Sequence, residues 1–180
     1  MSQRVSGYAR VPDEQYETVT WPVLALLQHL PGIKHVWDPC DRGSGKLVDT
    51  LLIRKINAYG TEHDFLTINE PPFLTDAIIT NPPYGDRRRG ELAVAFIEHA
   101  LKLKVPRVAM LLRNDFDSAL TRQHLFRHEP RFAFKLVLLN RIKWFDGPSS
   151  PSDNHSWFVW QQDNEDLPSI RYICREEAMR

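Results

Sequence analysis

Asp76-Ala77-Ile78-Ile79-Thr80-Asn81-Pro82-Pro83-Tyr84-Gly85 is the stretch on which the reading of this chain turns. A short apolar run that stops at a proline pair fits a buried strand of a parallel sheet, because proline has no N–H for the ladder and forces the chain out of it. Ligands of open α/β sheets bind outside the carboxyl ends of the strands. A rigid polar tetrapeptide at that edge therefore marks a substrate site. Its residue types suit an exocyclic amine. The lone pair of such an amine is delocalised into its ring, and acceptors placed at its two N–H groups favour a pyramidal, more nucleophilic nitrogen. Asn81 Oδ1 and the carbonyl of Pro82 supply those acceptors, and Pro82 and Pro83 fix φ and so hold them in place. Tyr84 offers a flat face for a base taken out of its stack, a contact worth roughly 1–3 kcal/mol. The plainer alternative, a proline-rich turn, leaves the aromatic and the preceding strand unexplained.

Working outward, apolar spacing predicts helices over residues 21–30, 47–53 and 92–103, the first ended by Pro31-Gly32. Strands are expected at 35–40, 55–59, 77–80 and 107–112. This alternation argues for a doubly wound α/β domain, a mostly parallel sheet with helices on both faces. Residues 118–128 read as a further helix. Residues 134–140 and 157–161 read as two closing strands, joined by a Gly-Pro-Ser-rich stretch at 147–153 and forming an antiparallel pair at the sheet edge. Residues 1–15 are polar and mixed, an expected extended arm on one domain spanning 1–180.

The 180 residues balance 23 Lys and Arg against 23 Asp and Glu, so the chain as a whole is not a strongly basic nucleic-acid binder. The distribution says more than the sum. Arg87, Arg88 and Arg89 follow the tetrapeptide directly, and Arg122, Arg127, Arg131, Arg141 and Lys143 populate the second half. Beside a base pocket such a lip would meet phosphates, although loop arginines are commonly just solvated. No stretch approaches a membrane span and the amino-terminal residues lack the apolar core of a signal peptide, so a cytoplasmic location without membrane contact is expected. Two cysteines, Cys40 and Cys174, are too few for a disulfide framework or a structural zinc site.

Asn81-Pro82-Pro83-Tyr84 resembles motif IV of the amino-methyltransferases, S-adenosylmethionine-dependent enzymes that methylate adenine N6 and also some guanine amines and protein glutamines. Trp37-Asp38-Pro39-Cys40-Asp41-Arg42-Gly43-Ser44-Gly45 resembles their Asp-Pro-x-x-Gly-x-Gly cofactor loop. Tyr16-Glu17-Thr18-Val19-Thr20-Trp21 resembles their amino-terminal cofactor segment, and His63-Asp64-Phe65-Leu66 the Asp-Phe-Leu ahead of the catalytic strand. The stretches 141–147 and 156–160 look like the last part of small phage and prophage adenine methyltransferases. The resemblance implies a Rossmann-like methyltransferase fold, S-adenosyl-L-methionine as cofactor, and an adenine amine in DNA as substrate. An RNA base, a protein glutamine or a catalytically decayed binding module stand as alternatives.

By the same resemblance, Asn81, Pro82, Pro83 and Tyr84 present the target amine. Thr18, Trp21, Asp38, Pro39, Gly43, Gly45, Glu62, Asp64 and Phe65 hold the cofactor, while Arg87, Arg88, Arg89 and Trp144 face the nucleic acid. Trp21 could equally anchor a helix start, Asp38 a strand end, and Phe65 the core. The match departs from the family in two places. Cys40, Asp41 and Arg42 separate Pro39 from Gly43 where the pattern has two residues, and the segment from Tyr59 to Asp64, which supplies Glu62 for the ribose hydroxyls, is short.

Rival chemistries fail on residue type. A phosphate-binding P-loop needs Ser or Thr after Gly45-Lys46 and a glycine at Cys40, whereas Leu47 follows; a dinucleotide fingerprint needs glycine at Val48. Cytosine C5 methylation needs a cysteine where Tyr84 stands. Zinc deamination needs His-x-Glu and Cys-x-x-Cys, neither of which occurs, and His124 and His128 read as a solvated helix face. No separate target-recognition domain is expected, which leaves the 113–132 and 147–155 segments, or a partner protein, to read DNA sequence.

Overall fold

The structure, a computed structural model, describes residues 18–41, 45–83, 90–144 and 153–180. Its elements in chain order are α1 (Thr20–Leu27), β1 (His35–Asp38), α2 (Lys46–Ile53), β2 (Asn57–Gly60), β3 (Ala77–Thr80), α3 (Glu91–Lys102), β4 (Arg107–Arg113), β5 (Phe132–Leu138), β6 (His155–Gln161), β7 (Ser169–Ile173) and α4 (Arg175–Ala178). The seven strands form one sheet in the order β2-β1-β3-β4-β6-β5-β7. All neighbouring pairs are parallel except those of β6, which runs antiparallel to both β4 and β5. The chain thus winds outward from β1 to β2, then returns across β1 to lay down β3 on its other side. The seam between β1 and β3 is the topological switch point.

Two apolar layers follow from the strand period of two, which sends successive side chains to opposite faces. On one face Leu26, Leu51, Ile79, Leu111, Phe134, Leu136 and Trp157 are buried beneath α1, α2 and α4. On the other, Trp37, Phe65, Ile78, Ile97, Met110, Phe158 and Trp160 are buried with α3. Every side chain of β3 is buried, as a central strand covered on both faces requires. Trp157 and Trp160, three apart on β6, point to opposite layers and anchor both. Trp157 Nε1 donates to the Pro22 carbonyl in α1 at 2.8 Å, and Trp160 Nε1 donates to the Leu125 carbonyl at 2.8 Å.

Two expectations need adjustment. Residues 118–128 do not form an α-helix. Two 3-10 turns, Phe116–Ser118 and Leu120–Leu125, stand there instead: the Arg122 N–H bonds the Ala119 carbonyl at 3.0 Å and the Phe126 N–H the Gln123 carbonyl at 3.4 Å, each three residues back rather than four. The antiparallel pair of β5 and β6 is present, but β6 slots between β4 and β5, and β7 pairs with β5 in parallel to close the edge. Ser-Ile-Arg-Tyr-Ile of β7 leaves Ile170 and Tyr172 exposed, so it lacks the buried alternation by which a strand is recognised. The 1–15 arm lies outside the described residues.

Replacing Trp157 with Phe removes the bond to the Pro22 carbonyl and part of a fully buried ring, and should lower unfolding stability by about 1–3 kcal/mol. Tyr172→Ser on the exposed edge should stay within about 0.5 kcal/mol. Urea denaturation of the two variants beside wild type measures both.

Candidate functional site

The carboxyl ends of β1 and β3 meet at the switch point, where an open α/β sheet receives its ligand. Asp38 closes β1 and is buried. Its Oδ1 accepts from Thr80 Oγ1, the last residue of β3, at 2.6 Å and from the Cys40 N–H at 3.0 Å. Among the described residues nothing donates to Oδ2. Burial pushes the Asp38 pKa up to about 7; the bonds from Thr80 and Cys40 pull it down, and the nearby Asp41 charge raises it. Immediately after Thr80 come Asn81, Pro82 and Pro83, all buried. The side chain that closes the apolar run therefore ties the Asn-Pro-Pro segment to the loop leaving β1.

That loop is described at both ends. Pro39 is buried. Gly45 precedes α2 in the left-handed region, φ +65°, a conformation that costs glycine nothing and other residues more than 1 kcal/mol or so. Its N–H donates to Asp41 Oδ1 at 3.1 Å. Thr50 Oγ1 on α2 donates to the Lys46 carbonyl at 2.7 Å and lies 3.4 Å from Thr20 Oγ1, bringing the start of α1, with buried Thr18 beside it, against the helix that the loop feeds. Trp21 is buried in the apolar layer beneath α1.

Beyond β2, Glu62 is exposed. Asp64 caps a 3-10 turn, Phe65–Thr67, by accepting from the Leu66 N–H at 3.1 Å. Phe65 fills the core, edge-on to Trp37 with ring centroids 5.4 Å apart and to His99 at 4.8 Å. Gly43, Tyr84, Arg87, Arg88 and Arg89 lie outside the described residues. The structure thus brings Asp38, Pro39, Gly45, Asn81, Pro82 and Pro83 to one edge of the sheet, while Phe65 and Trp21 are core side chains.

On the far side of β3 the same edge carries groups that sequence reading passed over. His155 opens β6 and is buried, edge-on to half-buried Trp144 with ring centroids 5.2 Å apart. Burial pushes its pKa down to about 4; Asp153 and Asp115 raise it and Arg113 lowers it further. The imidazole is therefore neutral at pH 7. Lys135, in the middle of the apolar strand β5, is buried and bonds the Asn114 carbonyl at 2.6 Å and both Asp117 oxygens at 2.9 and 3.0 Å. Ser156 Oγ donates to Asn114 Oδ1 at 2.6 Å. A lysine inside an otherwise apolar run was the available signal for this network.

No protein-family model and no curated protein sequence matches the chain. Solved structures do. A candidate class I S-adenosylmethionine-dependent methyltransferase from Listeria monocytogenes superposes with a TM-score of 0.60 at 12% identity, over 97% of this chain and 69% of that one. The modification subunit of a candidate type I restriction enzyme from Vibrio vulnificus gives 0.55 at 13% identity, over 89% of this chain and 47% of its own. The M protein of the type I restriction enzyme EcoKI gives 0.50 at 12%, over 89% and 48%. This chain spans about half the length of those two proteins.

The two shifted groups pull stability in opposite directions with pH. Folding raises the Asp38 pKa from 3.8 to about 7, so its contribution is full below pH 3.8 and is lost as pH rises to about 7. Folding lowers the His155 pKa from 6.5 to about 4, so its contribution is present above pH 6.5 and is lost as pH falls to about 4. Asp38→Asn should remove the first slope and leave stability rising with pH from 4 to 6.5. Chemical denaturation at a series of pH values checks the sign; a variant whose profile matches wild type would contradict it.

Asp38 at the tip of β1, the left-handed Gly45 opening α2 and the Asn-Pro-Pro segment leaving β3 lie together at the switch point, and the sheet that carries them has the Rossmann-like fold of class I S-adenosylmethionine-dependent methyltransferases.

Proposed function

We propose that this protein is an S-adenosylmethionine-dependent methyltransferase acting on an exocyclic amine, adenine N6 in DNA. The observation that carries the proposal is the 2.6 Å bond from Thr80 to Asp38, which sets the end of the cofactor loop directly beside Asn81-Pro82-Pro83. The fold and the likeness to the two modification proteins support it.

The residues fit the cofactor. Asp38 Oδ2 is the acceptor for the methionine amino group, and the glycine turn at Gly45 lets the main chain approach a ligand with no Cβ in the way. When bound, S-adenosyl-L-methionine supplies a methyl group on a sulfonium, ready for displacement. The chain positions the acceptor for it. Asn81 Oδ1 and the Pro82 carbonyl accept from the two amine hydrogens, drawing the nitrogen toward a pyramidal form, and Tyr84 carries the face of the flipped base. No residue is needed as general base, because the proton leaves after the methyl group has transferred. Catalysis here is positioning and exclusion of water. Arg87, Arg88 and Arg89 meet phosphates and Trp144 walls the base pocket. The Vibrio vulnificus neighbour is a subunit of a restriction enzyme, which supports a partner protein for reading target sequence.

Transfer of a labelled methyl group to adenine-containing DNA is expected from wild type. Asn81→Ala should lose roughly 10²–10³-fold in turnover while still binding the cofactor. RNA and glutamine peptides run in parallel separate the substrate classes, and equal transfer by Asn81→Ala would contradict the assigned role.

A further inference from the structure

β2 ends on a glycine at the site's rim. Gly60 pairs with Asp38 in the parallel ladder, so its Cα stands at the same height on the carboxyl edge. Its φ lies outside the left-handed region, and its own conformation does not demand glycine. The side chain of Asp41 does. A Cβ built on Gly60 would fall among the Cβ, Cγ and Oδ2 atoms of Asp41, so the Asp41 carboxyl group lies directly against the tip of β2, in the space that a side chain of β2 would fill.

Two bonds fix Asp41 there, and a third ties the end of β2 to the same point. Oδ1 accepts from the Gly45 N–H at 3.1 Å, and its own N–H reaches the Asp38 carbonyl at 3.5 Å. That carbonyl also accepts from Thr61 N–H at 3.1 Å, which holds the residue after Gly60 to the same point. In doubly wound nucleotide sites, a carboxylate about 20 residues beyond the first turn bonds the ribose hydroxyls from the second strand's end, since an ionised carboxylate accepts several such bonds. Here that strand end has no side chain, and Glu62, two residues on, is exposed.

We propose that Asp41, delivered from the loop after β1 onto the bare tip of β2, is the carboxylate that binds the ribose hydroxyls of the cofactor. The extra residue between Pro39 and Gly43 and the missing side chain at Gly60 are then two halves of one exchange: the loop is longer by the residue that replaces the strand's acid. The inference rests on the reading of this crevice as an S-adenosylmethionine site.

Calorimetric titration of the full chain with S-adenosylhomocysteine, and with its 2′,3′-dideoxyribose counterpart, tests it. Asp41→Asn keeps an oxygen for the Gly45 N–H and removes the charge. It should weaken S-adenosylhomocysteine roughly tenfold or more and leave the dideoxy ligand within about twofold. The exchange variant, Asp41→Gly with Gly60→Asp, should recover most of the affinity that Asp41→Gly alone loses. Wild-type affinity in Asp41→Asn, or an equal loss for both ligands, overturns the assignment of Asp41 and leaves the cofactor reading standing. No binding of either ligand by wild type overturns the cofactor reading itself and this assignment with it.

Discussion

The hydrogen bond from Thr80 Oγ1 to Asp38 Oδ1 is the constraint on which the rest of the site depends. It joins two strands that are neighbours in the sheet but separated in the chain by all of α2 and β2. Asp38 is the hub on both counts. Its side chain reaches β3 and the Cys40 N–H, and its carbonyl receives the N–H groups of Asp41 in the loop and Thr61 beyond β2. One residue thus fixes the ends of three strands relative to one another. A buried carboxylate stripped of these donors would cost several kcal/mol more, so the bonds from Thr80 and Cys40 help the edge to hold its shape.

The layers on either side explain why that edge is dry enough for charge to matter. Ile79 and Ile78 face opposite cores from adjacent positions in β3. The tryptophans of β6 cross-brace both layers through carbonyls far away in sequence, Pro22 and Leu125. Low polarity around Asp38 and His155 moves both pKa values toward the neutral form, in opposite directions for acid and base. The edge therefore carries a carboxyl group that titrates near neutral pH at one end and a neutral imidazole at the other.

Local pattern made most of the sheet legible. Ala77–Thr80 was readable because a central parallel strand must be apolar throughout and proline must end it. β1, α2, α3 and β4 followed from periods that packing on one or two faces imposes. β7 was not legible, since an edge strand with exposed Ile170 and Tyr172 carries no buried stripe. The 3-10 turns at 116–125 were missed because apolar spacing does not distinguish bonds made three residues back from bonds made four back. At the candidate site, Asp38 and Asn81 were singled out by residue type and position, and the structure puts both at the switch point. Thr80 and His155 were not, since their significance lies in partners brought by topology, and the anomaly of the long loop became interpretable only when Gly60 proved to lie beneath Asp41.

The most direct measurement is hydrogen exchange by mass spectrometry with and without S-adenosyl-L-methionine. A ligand seated at the switch point should slow exchange in peptides covering residues 36–49, 57–65 and 77–83 together, because one network of bonds through Asp38 ties those segments. Protection confined to the opposite end of the sheet, around Glu98, Lys104 and Arg131, or none at all, would contradict the placement of the site.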